Sequence, residues 1–309
     1  MNVLIIGAGA VGLCLAAKLS RVCNVFAVTR EKNAKIIRES GFKMTGIWGN
    51  GIFKFGASEE VPKIDFDYII IASKGISTES ICKQFKDDIK NKNVVSIQNG
   101  VGNEEIISKY TDKVIGGTII TGFEWKGNAE VHVSVEGGPM TVGRYPDGTD
   151  EEVIDFVKLI KSSGIPITES KNIQGAIWSK TIYNCALNPL GAIMNVNYGK
   201  LSNNHSLNII ENIVSEIFEI TSKKGVILPW KTPKEYLKYL TEFQLPNTAA
   251  HHSSMLQDIL KGKMTEIDFL NGAVVSNGKK LGVKTPYNEF ITEQVKFLEF
   301  LKSETKSSE

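Results

Sequence analysis

Val3-Leu4-Ile5-Ile6-Gly7-Ala8-Gly9-Ala10-Val11-Gly12-Leu13-Cys14-Leu15-Ala16-Ala17-Lys18-Leu19 decides how the N-terminal half folds. Its unbroken apolar run, Val3 to Ile6, reads as a strand buried on both faces, the pattern of a parallel sheet. The glycines follow as G-x-G-x-x-G, after a strand and opening a helix, which is the context a dinucleotide-binding turn requires. Gly7 permits the tight turn, Gly9 lets the backbone approach a pyrophosphate, and Gly12 lets helix and strand pack closely. Ala8, Ala10 and Val11 complete the turn, and the helix N-terminus offers free N–H groups and a positive dipole end to the phosphates.

Further strands follow in the same idiom. Val25 to Val28 ends in Thr29-Arg30, where an NAD-selective site usually carries Asp or Glu. Arg30 can pair with a 2′-phosphate, which favours NADP(H), although Glu31 beside it pulls the other way. Residues 43–56 read as a Gly-rich hairpin. Asp67 to Ala72 is a buried strand followed by Ser73-Lys74-Gly75, and ligands of open α/β sheets bind at the carboxyl ends of strands. That places Lys74 to meet cofactor or substrate, with a solvated loop Lys as the alternative. A helix is expected over Ser77 to Asp88, capped by Ser77 or Thr78. Val94 to Ile97 is a strand ending in Gln98-Asn99-Gly100. Asn-Gly is an ordinary turn signal, but the position points Asn99 toward the nicotinamide end. Val114 to Ile120 is a further strand. Glu130 to Val135 alternates polar and apolar, as a half-exposed antiparallel strand does, with Met140 to Gly143 as its expected partner. A helix over 150–163 ends at Gly164, and Ile165 to Thr168 closes the sheet. The expected division is a Rossmann-type α/β domain over residues 1–168 and an all-helical substrate domain over 169–309.

In the second half, Trp178 to Pro189 stands out. Read as a helix, it puts Lys180, Asn184 and Asn188 on one line, with Ile182, Tyr183, Cys185, Ala186 and Leu187 around them. A narrow polar stripe on an apolar helix must face something polar, because buried polar groups need partners. A donor charge and two amides suit a small molecule with a carboxylate and a carbonyl. The structural alternative is an internal Lys–carboxylate pair with two backbone-bonded Asn. Pro189 is expected to end or kink this helix. Leu207 to Lys224 reads as an amphipathic helix ending before Gly225. Another run begins at Ser253 and continues from Thr265, with Ile267, Leu270, Val274 and Leu281 on one face until Gly282. Lys302 to Glu309 is polar and expected to fray.

Composition narrows the function classes. With 309 residues and a net charge of +2, no strong field for nucleic acid or a membrane surface is implied. No apolar run reaches membrane-spanning length, and the N-terminus goes straight into a strand, so a cytoplasmic protein is expected. Cys14, Cys23, Cys82 and Cys185 form no C-x-x-C pair and read as free thiols; no metal site is expected. A homodimer through the helical domain is left open.

A pyridine dinucleotide implies hydride transfer, and hydride addition to a ketone leaves charge on oxygen that needs a proton donor. His132, His205, His251 and His252 lie in an alternating strand, a polar loop and beside Ser253-Ser254, and read as structural or exposed. Lys180 is the better acid: its ammonium stabilises the developing alkoxide and then gives up a proton.

These residues together resemble the ketopantoate reductase (2-dehydropantoate 2-reductase) family over nearly the whole chain. The resemblance lies in Gly7–Gly12, Ser73-Lys74, Gln98-Asn99-Gly100, the Lys180/Asn184/Asn188-Pro189 helix, Ser253 to Asp258, and Thr265-Glu266-Ile267-Asp268. It implies NADPH-dependent reduction of a 2-oxo acid, 2-dehydropantoate to (R)-pantoate, in the cleft between the domains. It implies Lys180 as general acid, Asn184 and Asn188 as substrate ligands, and Ser254 as ligand to the substrate carboxylate. Glu266 is implied to orient Lys180 and meet the cofactor ribose, Lys74 and Asn99 to contact cofactor and substrate, and Arg30 to hold the 2′-phosphate. The residues alone do not select Glu266 or Ser254. One place departs from the family: Tyr198, before Gly199-Lys200-Leu201, stands where members often carry a further Asn, with Asn197 one step earlier. Either Asn197 substitutes or the pocket differs. The rivals are a reductase of another 2-oxo acid and a non-catalytic NADPH-sensing protein.

Overall fold

The computed structural model describes residues 1–307. The chain forms two compact units, residues 1–98 with 103–176, and residues 99–102 with the chain from 177 onward.

The first unit holds strands β1 (Asn2–Ile6), β2 (Asn24–Val28), β3 (Phe42–Gly46), β4 (Gly51–Phe53), β5 (Gly56–Ser58), β6 (Tyr68–Ile71), β7 (Asn93–Ser96), β8 (Val114–Thr118), β9 (Thr121–Gly127), β10 (Glu130–Glu136), β11 (Met140–Arg144) and β12 (Ile167–Glu169). Its helices are α1 (Ala10–Leu19), α2 (Glu31–Ser40), α3 (Thr78–Gln84), α4 (Lys86–Ile89), α5 (Asn103–Ile107) and α6 (Glu151–Ser162). One sheet runs β12-β11-β8-β7-β6-β1-β2-β5, parallel from β5 to β8, with β11 antiparallel to β8 and β12 parallel to β11. Along β1, Val3 and Ile5 enter one buried cluster with Leu13 and Leu15 of α1, while Leu4 and Ile6 enter another with Cys82 and Val94. Burial on both faces is why the strand is apolar throughout.

A second sheet, β4-β3-β10-β9, adds Phe42, Met44, Val131 and Val133 to the cluster around α1. Here the expected pairing fails. Glu130–Glu136 pairs with Thr121–Gly127 and with β3, whereas Met140–Arg144 lies in the large sheet between β8 and β12. The cause is the two-residue turn Asn128-Ala129, both at positive φ (47° and 53°), which folds β9 directly back onto β10. Asn-Gly announces such a turn and Asn-Ala does not. The hairpin expected over 43–56 is shorter, since Gly56–Ser58 leaves it to pair with β2. The helix expected over 77–88 breaks at Phe85 into α3 and α4. Neither expected cap forms: Ser77 makes no side-chain cap bond, and the Thr78 hydroxyl donates instead to the buried Asn103 side chain at 2.8 Å.

The second unit is helical: α7 (Ile173–Met194, from residue 177 onward), α8 (Asn204–Lys223), α9 (Pro233–Tyr239), α10 (Leu245–Asn247), α11 (Ser254–Leu260), α12 (Asn271–Leu281) and α13 (Pro286–Ser307). Asn203 caps α8 by accepting from the His205 and Ser206 amides, so His205 sits in a helical first turn and not in a loop. Gly282 ends α12 in the left-handed region at φ 67°. The run expected from Thr265 is not continuous helix. Residues 265–270 form a turn and a single 3₁₀ turn (Ile267–Phe269) before α12 begins at Asn271. The polar end expected to fray from Lys302 is helical through Ser307; residues 308–309 lie outside the described residues.

The helix also does not end at Pro189 but continues to Met194. A proline removes the N–H that would bond the carbonyl four residues back. That carbonyl belongs to Cys185, and the fully buried Asn271 amide donates to it at 3.2 Å. Asn271 is itself held by Asn288 (2.9 Å), whose amide nitrogen donates to Glu216 (2.7 Å). Leu187, Leu190 and Ala192 are buried on either side of the proline, so packing carries the helix past it. All four cysteines are free. No helix among the described residues is long and apolar enough to cross a membrane, and no group of three or more His, Cys, Asp or Glu among them is placed to hold a metal ion.

Replacing Asn271 by Ala orphans the Cys185 carbonyl and one Asn288 bond. The expected loss is about 1–3 kcal/mol of stability, read as a lower midpoint in urea. An unchanged midpoint removes Asn271 from this role.

Candidate active site

The glycine turn comes first, within the sheet unit. Gly7 lies at φ +73°, and a Cβ there would sit 2.5 Å from the Ser73 Cβ. Gly12 is packed against Ile5 and Ala72 at 3.0 and 3.1 Å from where its Cβ would stand. Gly9 is the opposite case, with nothing within 4 Å of that position. One glycine is therefore demanded by the turn, one by helix–strand packing, and the middle one leaves open space before α1. Gly9 has no side chain to cap α1, and the first turn holds no acidic residue. The amide groups there are available to an anion. The donor set and the open face fit a pyrophosphate.

The end of β2 is tied to this turn. The Ala8 amide donates to the Val28 carbonyl (3.0 Å), and the Thr29 hydroxyl donates to the Ala8 carbonyl (2.9 Å). Arg30 follows immediately and is exposed, and it forms no ion pair among the described residues. Glu31, the neighbour that argued against it, is engaged by Arg38. Lys74 follows β6, half-buried, at the start of a short 3₁₀ turn.

The second group lies in the helical unit. Asn184 and Asn188 are 8% and 6% exposed, whereas Lys180 is half-buried on the same line. Asn184 makes no side-chain hydrogen bond among the described residues, yet its polar atoms are not sealed off. A buried amide in that condition faces open space that a polar ligand can fill. Burial lowers the Lys180 pKa to about 8, and the Glu266 carboxylate opposes that shift by favouring the ammonium. Glu266 accepts from the Asn99 amide at 2.9 Å. Asn99 is held there because Val101 donates to the Phe269 carbonyl (2.9 Å) and Gly100, at φ +85°, leaves no room for a Cβ against that carbonyl. The structure thus brings Lys180, Glu266 and Asn99 together. Glu266 precedes a 3₁₀ turn and is half-buried, not on the solvated face of an amphipathic helix.

Ser254 is less integrated: it is exposed at the first turn of α11, while its neighbour Ser253 is fully buried. Ser253 caps α11 by accepting from the Leu256 amide and donates to the Asn188 carbonyl at 3.2 Å. Tyr198 proves to be part of the stripe. Its hydroxyl donates to the Asn188 side-chain oxygen, so at this position the chain places a partner for Asn188. Asn197 is half-buried at the start of the turn Tyr198–Leu201 and makes no side-chain cap bond. Sequence reasoning missed this contact because ten residues separate the partners and the polar tip of a Tyr carries no periodic signal.

The profile described as ketopantoate reductase PanE/ApbA matches residues 3–147, and its C-terminal companion matches residues 172–299. The chain belongs to the ketopantoate reductase family. Among its relatives, the 2-dehydropantoate 2-reductase of Aquifex aeolicus is 38% identical over 96% of both chains. That of Pyrococcus horikoshii is 32% identical over 97% of this chain and 98% of its own. Among solved structures, a PanE/ApbA family ketopantoate reductase from Ralstonia eutropha superposes with a TM-score of 0.87 at 26% identity, covering 98% of this chain and all of that one. D-mandelate dehydrogenase, solved with NADH and anilino(oxo)acetate, superposes at 0.89 and 26% identity, covering 98% of this chain and 99% of its own.

A reaction that needs the Lys180 ammonium runs fully below about pH 8 and falls as pH rises through that value. Glu266 holds the Lys180 pKa up, so Glu266→Gln moves the falling limb of kcat/KM to lower pH. A limb that stays in place in the variant would separate the two residues.

Proposed function

We propose that this chain reduces 2-dehydropantoate to (R)-pantoate with NADPH, as a cytoplasmic enzyme on the route to pantothenate and coenzyme A. The observation that carries the reading is the polar line of α7: a lysine with a lowered pKa beside two buried amides. An internal ion pair explains the lysine alone. It leaves Asn184 without a partner, whereas a 2-oxo acid supplies one. The two relatives named above carry the same reaction in their names.

In this reading residues 1–168 hold the cofactor and 169–309 hold the substrate and the acid. Gly7 to Gly12 cradle the pyrophosphate, Arg30 pairs with the 2′-phosphate, and Lys74, Asn99 and Glu266 meet the rest of the dinucleotide. When bound, NADPH supplies the hydride. Lys180 donates to the ketone oxygen, stabilises the charge that develops there and then releases its proton to it. Glu266 keeps the amine protonated for that step. Asn184 and Asn188 orient the substrate, and Ser254, at the start of α11, receives its carboxylate.

NADPH oxidation with 2-dehydropantoate, set against a panel of other 2-oxo acids including aryl ones, tests the reading. The expected result is the highest kcat/KM for 2-dehydropantoate. Lys180→Ala is expected to lower kcat by about 10²–10⁴-fold while NADPH still binds. Arg30→Ala is expected to raise KM for NADPH by about 10–100-fold and to leave NADH little affected. Turnover that survives in the Lys180 variant would remove the acid role.

A further inference from the structure

Tyr198 is 2% exposed and its ring is held on several sides. It meets Tyr183 edge-on at 6.0 Å and lies against His251 at 5.4 Å. Gly191 passes so close that a Cβ there would stand 3.6 Å from the Tyr198 ring. The backbone is pinned as well, by Tyr198 N–H to the His251 carbonyl (3.0 Å) and Gly199 N–H to the Ala249 carbonyl (2.8 Å). Burial keeps the phenol protonated well above neutral pH, so it remains a donor. That donor goes to Oδ1 of Asn188, ten residues earlier.

The consequence falls on Asn188. Its acceptor oxygen is occupied by Tyr198, and its backbone carbonyl accepts from Ser253. Its amide nitrogen has no hydrogen-bond partner among the described residues and is not sealed from open space, although the residue is 6% exposed. An amide free to flip offers a ligand either a donor or an acceptor. Flipping this one would leave the buried Tyr198 hydroxyl proton without its acceptor, so the arrangement with the amide donors outward is the favoured one.

We propose that Tyr198 is a positioning residue that locks the Asn188 amide with its N–H donors toward the substrate, so that the site selects 2-oxo acids bringing an acceptor oxygen to that point. The inference rests on the functional reading above and adds a residue to it. Tyr198 touches neither cofactor nor substrate in this account; it acts through Asn188.

The test is steady-state kinetics at saturating NADPH with the best 2-oxo acid of the panel, on wild type, Y198F, N188A, N188D and the Y198F/N188A double variant. Y198F removes one oxygen atom and keeps the ring packing. It is expected to raise KM for the 2-oxo acid about tenfold, with kcat within about threefold and NADPH affinity unchanged. The double variant is expected to be no worse than N188A, because Tyr198 has nothing else to hold. N188D keeps the acceptor for Tyr198 but replaces the donors by an oxygen, and is expected to raise KM at least as far as N188A, a comparison that stands even if Y198F folds poorly. A Y198F KM within twofold of an active wild type, or effects that multiply in the double variant, overturns this inference alone. A wild type inactive on every 2-oxo acid overturns the functional reading and this inference with it.

Discussion

An ammonium taken out of water stays charged only if something nearby repays the lost hydration. In the helical unit that exchange is made between Lys180 and Glu266, and the rest of the polar line is built around it. Burial alone pulls the amine toward neutrality and the carboxylate alone pulls it back, leaving a pKa of about 8. A proton donor poised near the working pH is more useful than one held tightly at the ordinary lysine value. The carboxylate is fastened in turn by Asn99, and Asn99 by a four-residue segment, 99–102, that belongs to the helical unit although its neighbours in sequence do not. Gly100 is the reason this segment can lie against the Phe269 carbonyl.

The same helix carries the two amides, and its continuity past Pro189 depends on groups far away in sequence. Asn271 takes the carbonyl that the proline cannot bond, and Ser253 reaches the carbonyl of Asn188. The third residue of the polar line is thereby secured at its backbone by one segment and at its side chain by Tyr198. In the sheet unit the design is simpler. Gly7 is required by the turn and Gly12 by helix–strand packing, Gly9 leaves the space before α1 open, and the end of β2 is stitched to this turn, which sets Arg30 beside it.

Features governed by neighbours in the chain were legible from the sequence. The strand–turn–helix at residues 3–19 and the spacing of Lys180, Asn184 and Asn188 are local patterns, and both stand in the structure where periodicity placed them. Features governed by distant partners were not. The β9–β10 hairpin turns on Asn128-Ala129, a pair that rarely signals such a turn, so Met140–Gly143 looked like the partner of Glu130–Val135. Pro189 read as an end or a kink because the donor that helps carry its helix past it, Asn271, is 82 residues away from it. Glu266 is not selected by the residues alone, because the run from Thr265 reads as continuous helix and the break at residues 265–270 has no glycine or proline to mark it. Family resemblance selected Glu266 where residue chemistry did not, and neither foresaw Tyr198 as a partner of Asn188.

The Lys180 amine is held well below an ordinary lysine while remaining the charged donor at neutral pH. An NMR titration of the Lys180 side-chain signal, assigned by its loss in Lys180→Ala, measures this directly. The expected midpoint is about 8. A midpoint at the ordinary value of 10.5 would mean that the amine is solvated and that the polar line of α7 does not create the environment described.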